Sequence, residues 1–249
     1  MSSNGGAPIP VAILCGGRGT RLGREAESTP KALVEIGGRP IIEEVIGIYS
    51  SQGFTRFLLL TGYKGEELSE WAASTAVPAE VSIECLDTGL DTETGGRVLR
   101  ASEHLGDTAF ALTYADGVAD LDLDSELSFH RKHGRLATMA VVRPELQFGV
   151  ANIDSDGAVA GFEEKPVLDG WANGGFFVFE PGVADFLEPD SVLEREPLER
   201  LSADGNLMAY RHAGFWRCMD TWKDKQLLDD LIADGKRPWT AGAGAESGV

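Results

Sequence analysis

The sequence predicts an α/β fold built around a mostly parallel sheet. Three observations carry that expectation: short runs rich in Val, Ile and Leu recur along the chain, longer segments of helical period separate them, and turn residues mark the joins. This alternation is the pattern of βαβ units.

The elements follow in order. Residues 9–15 are an apolar run and read as the first strand. PIIEEVIGIYSSQG begins at Pro40, sets Ile41, Val45 and Ile48 along one face and stops at Gly53, so both ends of a helix are marked. FTRFLLLTG (54–62) reads as a buried strand, a helix runs from Gly65 to about Ser74, and VSIECLDTG (81–89) is the next strand. GGRVLRASEHLG (95–106) is helical in period, with Val98, Leu99, Ser102 and Leu105 on or near one stripe. AFALTYAD (109–116) is a strand that ends on a carboxylate. DSELSFHRKHG (124–134) carries an N-cap-type Asp and a terminal Gly, and LATMAVV (136–142) follows as a strand. FGVANIDSDGAVAGFEEKP places an SDG turn between two alternating runs and predicts a hairpin. GGFFVFEP (174–181) is a further strand, GFWRCMD is strand-like, and TWKDKQLLDDLIADG (221–235) is the last helix.

A chain of 249 residues can bury one sizeable core, so a single domain is expected at 9–239, with a flexible N-terminus at 1–8 and a flexible tail at 240–249. Against 22 Lys and Arg stand 40 Asp and Glu, which leaves no broad cationic face for nucleic acid or an anionic membrane. No stretch reaches the 18 or so consecutive apolar residues of a spanning helix. Cys15, Cys85 and Cys218 are far apart and form no CxxC pair, which suits a reducing, cytoplasmic setting. His130 and His133 are three apart on the same helix without an acidic or cysteine partner at ligand spacing, and read as a solvated helix face rather than a zinc pair.

The chemistry concentrates at GGRGTRL (16–22), directly after the first strand. Glycines let backbone amides approach a phosphate chain closely, and arginine adds charge-assisted contacts. Neither better-known glycine loop fits: GxGxxG requires glycine at 22, which is Leu22, and GK[ST] is absent. Nine residues after Arg21 comes PKALVEIGGRPI (30–41), whose Lys31 is close enough in sequence to reach the same phosphates. Asp116 ends an apolar strand, at the edge where ligands collect in open α/β sheets. In TGGR (94–97), Arg97 falls at a helix N-terminus, where the amides of Gly95 and Gly96 favour an anion or a polar base edge.

GGxGTRL followed by PK resembles the sugar-1-phosphate nucleotidyltransferases, also called NDP-sugar pyrophosphorylases. The likeness runs through most of the chain: GYKG (62–65), DTG (87–89), TGGR, YADGVADLD (114–122), FEEKP (162–166), NGGFFVF (173–179), EREPLERL (194–201) and AGFWRCMDT (213–221) look most like the glucose-1-phosphate cytidylyltransferases. The resemblance implies a Rossmann-like three-layer α/β/α fold with a mixed, mostly parallel central sheet, of the nucleotide-diphospho-sugar transferase type. It implies a reaction in which a sugar-1-phosphate oxygen attacks the α-phosphorus of a nucleoside triphosphate and releases pyrophosphate, with CTP and glucose 1-phosphate favoured. A homo-oligomer is expected from the resemblance only.

Carried over residue by residue, it implies that Arg21 holds the β- and γ-phosphates and that Lys31 sits over the α-phosphate. Asp116 and Asp220 would be ligands of Mg²⁺, which takes oxygen donors and rarely sits in an all-protein cage. Lys165 would grip the sugar phosphate, with Glu164, Asn173 and Gly174 against the sugar. Leu14, Gly16, Gly17, Arg18, Gly19, Thr20, Arg21, Thr88, Gly95, Gly96, Arg97 and Ala115 would line the nucleotide site. Two departures stand out: the connection between GYKG and DTG is shorter than in the family, and residue 115 is Ala where near relatives have Gly.

Other readings remain open at this level. The same chemistry could use dTTP, UTP or GTP, or a cyclitol phosphate. DLD (120–122) offers the DxD pattern of metal-dependent glycosyltransferases, and a non-catalytic nucleotide-binding relative would keep the fold.

Overall fold

The computed structural model describes residues 9–19, 22 and 29–240. The termini expected to be flexible, 1–8 and 240–249, lie outside the described residues except for Thr240, which closes a 3-10 turn at Pro238–Thr240.

The first strand, β1 (Val11–Leu14), is fully buried and leads into the glycine loop. A two-residue hairpin, β2 (Glu35–Ile36) and β3 (Arg39–Pro40), precedes α1 (Ile41–Ser50), whose start after Pro40 follows from the fixed proline φ. There follow β4 (Arg56–Thr61), α2 (Gly65–Ser74), β5 (Ser82–Asp87), α3 (Thr94–Leu105), β6 (Phe110–Tyr114) and β7 (Gly117–Ala119). Next come α4 (Leu123–His133), β8 (Ala137–Val142), β9 (Val150–Ile153), β10 (Val159–Glu163) and β11 (Ala172–Phe179). The chain closes with α5 (Glu196–Ala203), β12 (Leu207–Arg211), β13 (Trp216–Cys218) and α6 (Trp222–Ala233).

The main sheet has the order β12-β8-β11-β6-β1-β4-β5, and β11 alone runs against its neighbours. The expected mixed, mostly parallel sheet is therefore present. Strand alternation sends side chains to two layers. Val11, Ile13, Phe57 and Leu59 pack with Ile41, Val45 and Ile48 of α1, while Ala12, Leu14, Leu58 and Leu60 pack with Val98, Ala101 and Leu105 of α3 and with Leu198 and Leu201 of α5. With helices on both faces, a ligand can reach the sheet at the edge where β1, β4, β5 and β6 end.

Three features adjust the expectations. The helix expected at 124–134 is capped two residues earlier, by Asp122, whose carboxylate accepts Ser125 N–H at 2.8 Å. His130 is buried rather than solvated: its Nδ1 meets Thr138 Oγ1 at 2.8 Å and its Nε2 meets Glu180 Oε1 at 3.2 Å. His133 reaches the same hydroxyl at 2.7 Å, so the pair fastens the C-terminal end of α4 to β8. The predicted hairpin is β9–β10, whose strands pair only with each other, so it stands off the main sheet as an arm. Among the described residues, no helix is long and apolar enough to cross a membrane.

Candidate active site

Among the cavities at the carboxyl edge of the sheet, two meet at the end of β6. The larger, about 430 Å³, is lined by Leu14, Cys15 and glycines 16, 17 and 19 on one side and by Thr92, Glu93 and Thr94 on the other. The smaller, about 190 Å³, is lined by Asn173, Gly174 and Gly175 at the start of β11, with Trp216 and Cys218. Tyr114, Asp116 and Asp220 line both.

The meeting of Asp116 and Asp220 follows from strand register. β7 and β13 are antiparallel with Gly117 opposite Cys218, and Met219 N–H donates to the Asp116 carbonyl at 2.9 Å. Asp220 then leaves the pair immediately before α6, which Thr221 and Asp224 start with a reciprocal capping box. Lys31, from the 3-10 turn at Lys31–Leu33, places its ammonium between the two carboxylates: it donates to Asp220 Oδ1 at 2.7 Å and pairs with Asp116 Oδ2. Burial pulls the Lys31 pKa down, but the charge and hydrogen bond of Asp116 and the hydrogen bond to Asp220 more than reverse that, so the ammonium is held charged.

The walls are set by residues whose polar groups are already committed. Arg97 is 4% exposed and its guanidinium donates to Thr61 O at 2.8 Å, Thr88 Oγ1 at 2.6 Å and Gly89 O at 2.9 Å, and more weakly to Gly16 O and Leu90 O. A Cβ on Gly16 would overlap that guanidinium, which accounts for glycine there. On the opposite wall, the Tyr114 hydroxyl donates to Glu194 Oε1 while Thr94 Oγ1 donates to Glu194 Oε2 at 2.7 Å.

Of the residues expected at a nucleotide site, Leu14, Gly16, Gly17, Gly19 and Ala115 line the larger cavity, while Thr20 and Arg21 lie outside the described residues. Four other expectations meet a different local geometry. Arg97 lines the larger cavity but spends its donors on carbonyls and a hydroxyl, so it ties the ends of β1, β4 and β5 together instead of presenting a free fork. Thr88 is fully buried behind that wall and donates to Thr61 O at 2.6 Å. The amides of Gly95 and Gly96 both donate to the Ser191 carbonyl, at 2.9 and 3.2 Å, and a Cβ on Gly96 would overlap the Pro189 carbonyl oxygen. These glycines admit a neighbouring loop, not an anion. Arg18 turns outward, to Asp91 at 3.3 Å and over the Tyr63 ring.

Asn173 and Gly174 line the smaller cavity, and Trp216 Nε1 donates to the Gly174 carbonyl at 2.7 Å. Glu164 and Lys165 do not join them. Both are exposed on the arm, because the arm's strands have no bond to the main sheet. Lys165 holds φ at 50°, in the left-handed region, directly before Pro166, which disfavours helical conformations in the preceding residue. Asp120 and Asp122 of DLD also stay apart from the site: Asp120 faces His212 at 3.0 Å and Asp122 caps α4, so the DxD reading loses its metal ligands. Thr92, Glu93, Thr94, Tyr114 and Glu194 were given no role by sequence reasoning, although Thr94, Tyr114 and Glu194 open the quoted motifs TGGR, YADGVADLD and EREPLERL.

A family model described as nucleotidyl transferase matches residues 11–232. The chain belongs to the nucleotidyl transferase family. Among similar proteins, glucose-1-phosphate cytidylyltransferase of Salmonella typhi is 42% identical over 254 residues, covering 93% of this chain and 98% of that one. Mannose-1-phosphate guanylyltransferase catalytic subunit beta of Drosophila pseudoobscura pseudoobscura is 30% identical over 231 residues, 88% of this chain and 60% of that one. The crystal structure of UDP-glucose pyrophosphorylase complexed with UDP-glucose superposes with a TM-score of 0.73 at 15% identity, over 92% of this chain and all of that one, which establishes a shared fold.

Nucleotidyl transferases of this kind typically depend on a divalent metal, and the donor set here suits one. Asp116 and Asp220 offer hard oxygen atoms within 4.8 Å of each other and already hold a positive group, the Lys31 ammonium. Cys218 Sγ lies within the same distance, as a thiol whose pKa is pushed up first by burial and then by the two neighbouring carboxylates.

Proposed function

We propose that this chain couples CTP to glucose 1-phosphate, forming CDP-glucose and pyrophosphate. The observation that carries the substrate choice is 42% identity over almost the whole length of a glucose-1-phosphate cytidylyltransferase, against 30% for a guanylyltransferase. The shape of the cleft supports it: two cavities of unequal size share one cluster of charged side chains, as a reaction between a large and a small phosphate ester requires.

In this reading the triphosphate occupies the larger cavity, with the backbone of Gly16, Gly17 and Gly19 against its phosphates. Glucose 1-phosphate occupies the smaller cavity beside Asn173 and Gly174. One phosphate oxygen of the sugar attacks the α-phosphorus from the side opposite pyrophosphate; the new P–O bond forms as the α–β bridge breaks, with inversion. The protein supplies alignment and positive charge, so no covalent enzyme intermediate is needed. Lys31 faces the junction of the cavities and neutralises charge developing on the α-phosphate. Asp116 and Asp220 would hold Mg²⁺, which supplies further neutralisation of phosphate charge when bound. Arg21 is assigned to the β- and γ-phosphates on its motif alone.

Lys165 is assigned to the sugar phosphate. Its strained backbone supports this, since such conformations persist mainly at ligand clamps and switch regions. The arm that carries it runs directly into β11, where Asn173 stands.

The test is pyrophosphate release from CTP, UTP, dTTP, GTP and ATP, each against glucose 1-phosphate and mannose 1-phosphate. CTP with glucose 1-phosphate is expected to give the highest kcat/KM. Preference for another pair would replace the substrates and keep the chemistry, and no pyrophosphate from any pair would end the reading.

A further inference from the structure

Tyr114 lines both cavities, and it is held there by a residue that lines neither. The Tyr114 hydroxyl donates to Glu194 Oε1, and Thr94 Oγ1 donates to Glu194 Oε2 at 2.7 Å. Thr94 Oγ1 in turn accepts Leu193 N–H at 2.9 Å, while the Ser191 carbonyl accepts the amides of Gly95 and Gly96, so the loop bearing Glu194 is fastened to the start of α3. On the other side, Gly175 leaves room for the Tyr114 ring, which a Cβ there would overlap, and Phe177 meets that ring edge-on. Glu194 therefore joins a wall of the larger cavity to the start of β11, which walls the smaller one.

The chain of donors has a direction. A carboxylate accepts hydrogen bonds and offers none, so both hydroxyl protons point at Glu194 and the Tyr114 oxygen is left with lone pairs for its other neighbours. Asn173 is such a neighbour: its side chain is a hydrogen-bond partner of the phenol and opposes the rise in pKa that burial and Glu194 impose, as a donor to the oxygen does. The other end of the same carboxamide is fixed, since Asn173 Oδ1 accepts Gly175 N–H at 2.8 Å. That leaves one N–H of Asn173, a residue lining the smaller cavity, for a ligand. We propose that Glu194 is a positioning residue that sets this polarity through Tyr114, so that Asn173 meets the sugar as a hydrogen-bond donor and selects a sugar oxygen able to accept. The proposal rests on the smaller cavity holding glucose 1-phosphate. In Glu194→Gln the side chain keeps its shape but not its polarity: Thr94 Oγ1 already accepts Leu193 N–H and donates to the glutamine carbonyl, so the glutamine amide falls to the Tyr114 oxygen. The phenol proton is then turned towards Asn173, whose carboxamide must rotate and give up Gly175 N–H to accept it.

Calorimetric binding of CDP-glucose and of CTP tests this without turnover, since CTP reports the larger cavity and CDP-glucose reports both. Asn173→Ala and Glu194→Gln are each expected to weaken CDP-glucose binding about 10-fold while CTP affinity changes by less than about twofold. Because the two residues act through one contact, the double variant is expected to lose no more than Asn173→Ala alone. Additive losses, undiminished CDP-glucose affinity in Glu194→Gln, or equal losses for both ligands would overturn the proposal. Should circular dichroism show that Glu194→Gln does not fold, Tyr114→Phe, which removes the linking hydroxyl, takes its place in the cycle with the same expected losses and the same refutations. A wild-type protein that does not bind CDP-glucose would end the substrate reading, and this proposal with it.

Discussion

The Lys31 ammonium donates to Asp220 Oδ1 at 2.7 Å although the two residues are 189 positions apart, and it pairs with Asp116 in the same place. One cation, drawn from the loop after β1, thus joins the carboxylates that end β6 and precede α6. Replacing Lys31 with Met removes a positive charge from the junction of the two cavities. Turnover at saturating substrates is expected to fall by about 10²–10³, read as initial rates of pyrophosphate release. Unchanged turnover would take Lys31 out of the reaction.

Arg97 makes a different prediction because its guanidinium is spent inside the protein. Arg97→Lys keeps the charge but cannot reach the carbonyls of residues 61, 89 and 16 together. A loss of about 2–3 kcal/mol in urea unfolding is expected. A variant that keeps wild-type stability and loses only CTP affinity would return Arg97 to direct nucleotide contact.

Glu126 sets a pH dependence of stability. It is 1% exposed on α4, and burial raises its pKa from 4.5 to about 8. The folded state therefore keeps a proton that the unfolded chain has already released between those values. The neutral carboxyl's contribution is complete below about pH 4.5 and is lost as pH rises towards 8, with a slope of at most about 1.4 kcal/mol per pH unit. Glu126→Gln should flatten that slope in urea titrations at pH 5, 6.5 and 8. Parallel pH profiles for the two proteins would show that this carboxyl does not titrate in that window.

Lys165 tests the arm. Lys165→Met is expected to raise KM for glucose 1-phosphate at least about 10-fold, the loss of one charge-assisted contact, with KM for CTP little changed. Equal changes in both constants, or none, would remove it from the sugar-phosphate site.

How far the molecule was legible in advance depends on the distance over which each signal acts. β1, α1, β4 and β6 were readable because their apolar period and end signals are local, and Asp116 was readable because an apolar strand turns acidic at its end. The N-terminus of α3 was misread for the opposite reason: the Ser191 carbonyl that takes the amides of Gly95 and Gly96 comes from a loop almost a hundred residues later. Nothing near TGGR announces it. Likewise β12, a half-buried edge strand, has no clean alternation in LMAYR, and only its parallel pairing with β8 defines it. The separation of Lys165 from Asp116 reflects an arm whose strands bond to each other alone, which local pattern does not encode.

The measurement that bears most directly on the account is turnover of Asp116→Asn with CTP, glucose 1-phosphate and Mg²⁺ all saturating, alongside its urea unfolding curve. Asp116, like Asp220, faces both cavities and meets Lys31, so a fall in kcat of about 10²–10³ with the fold intact is predicted. A folded Asp116→Asn protein that releases pyrophosphate at the wild-type rate would contradict it.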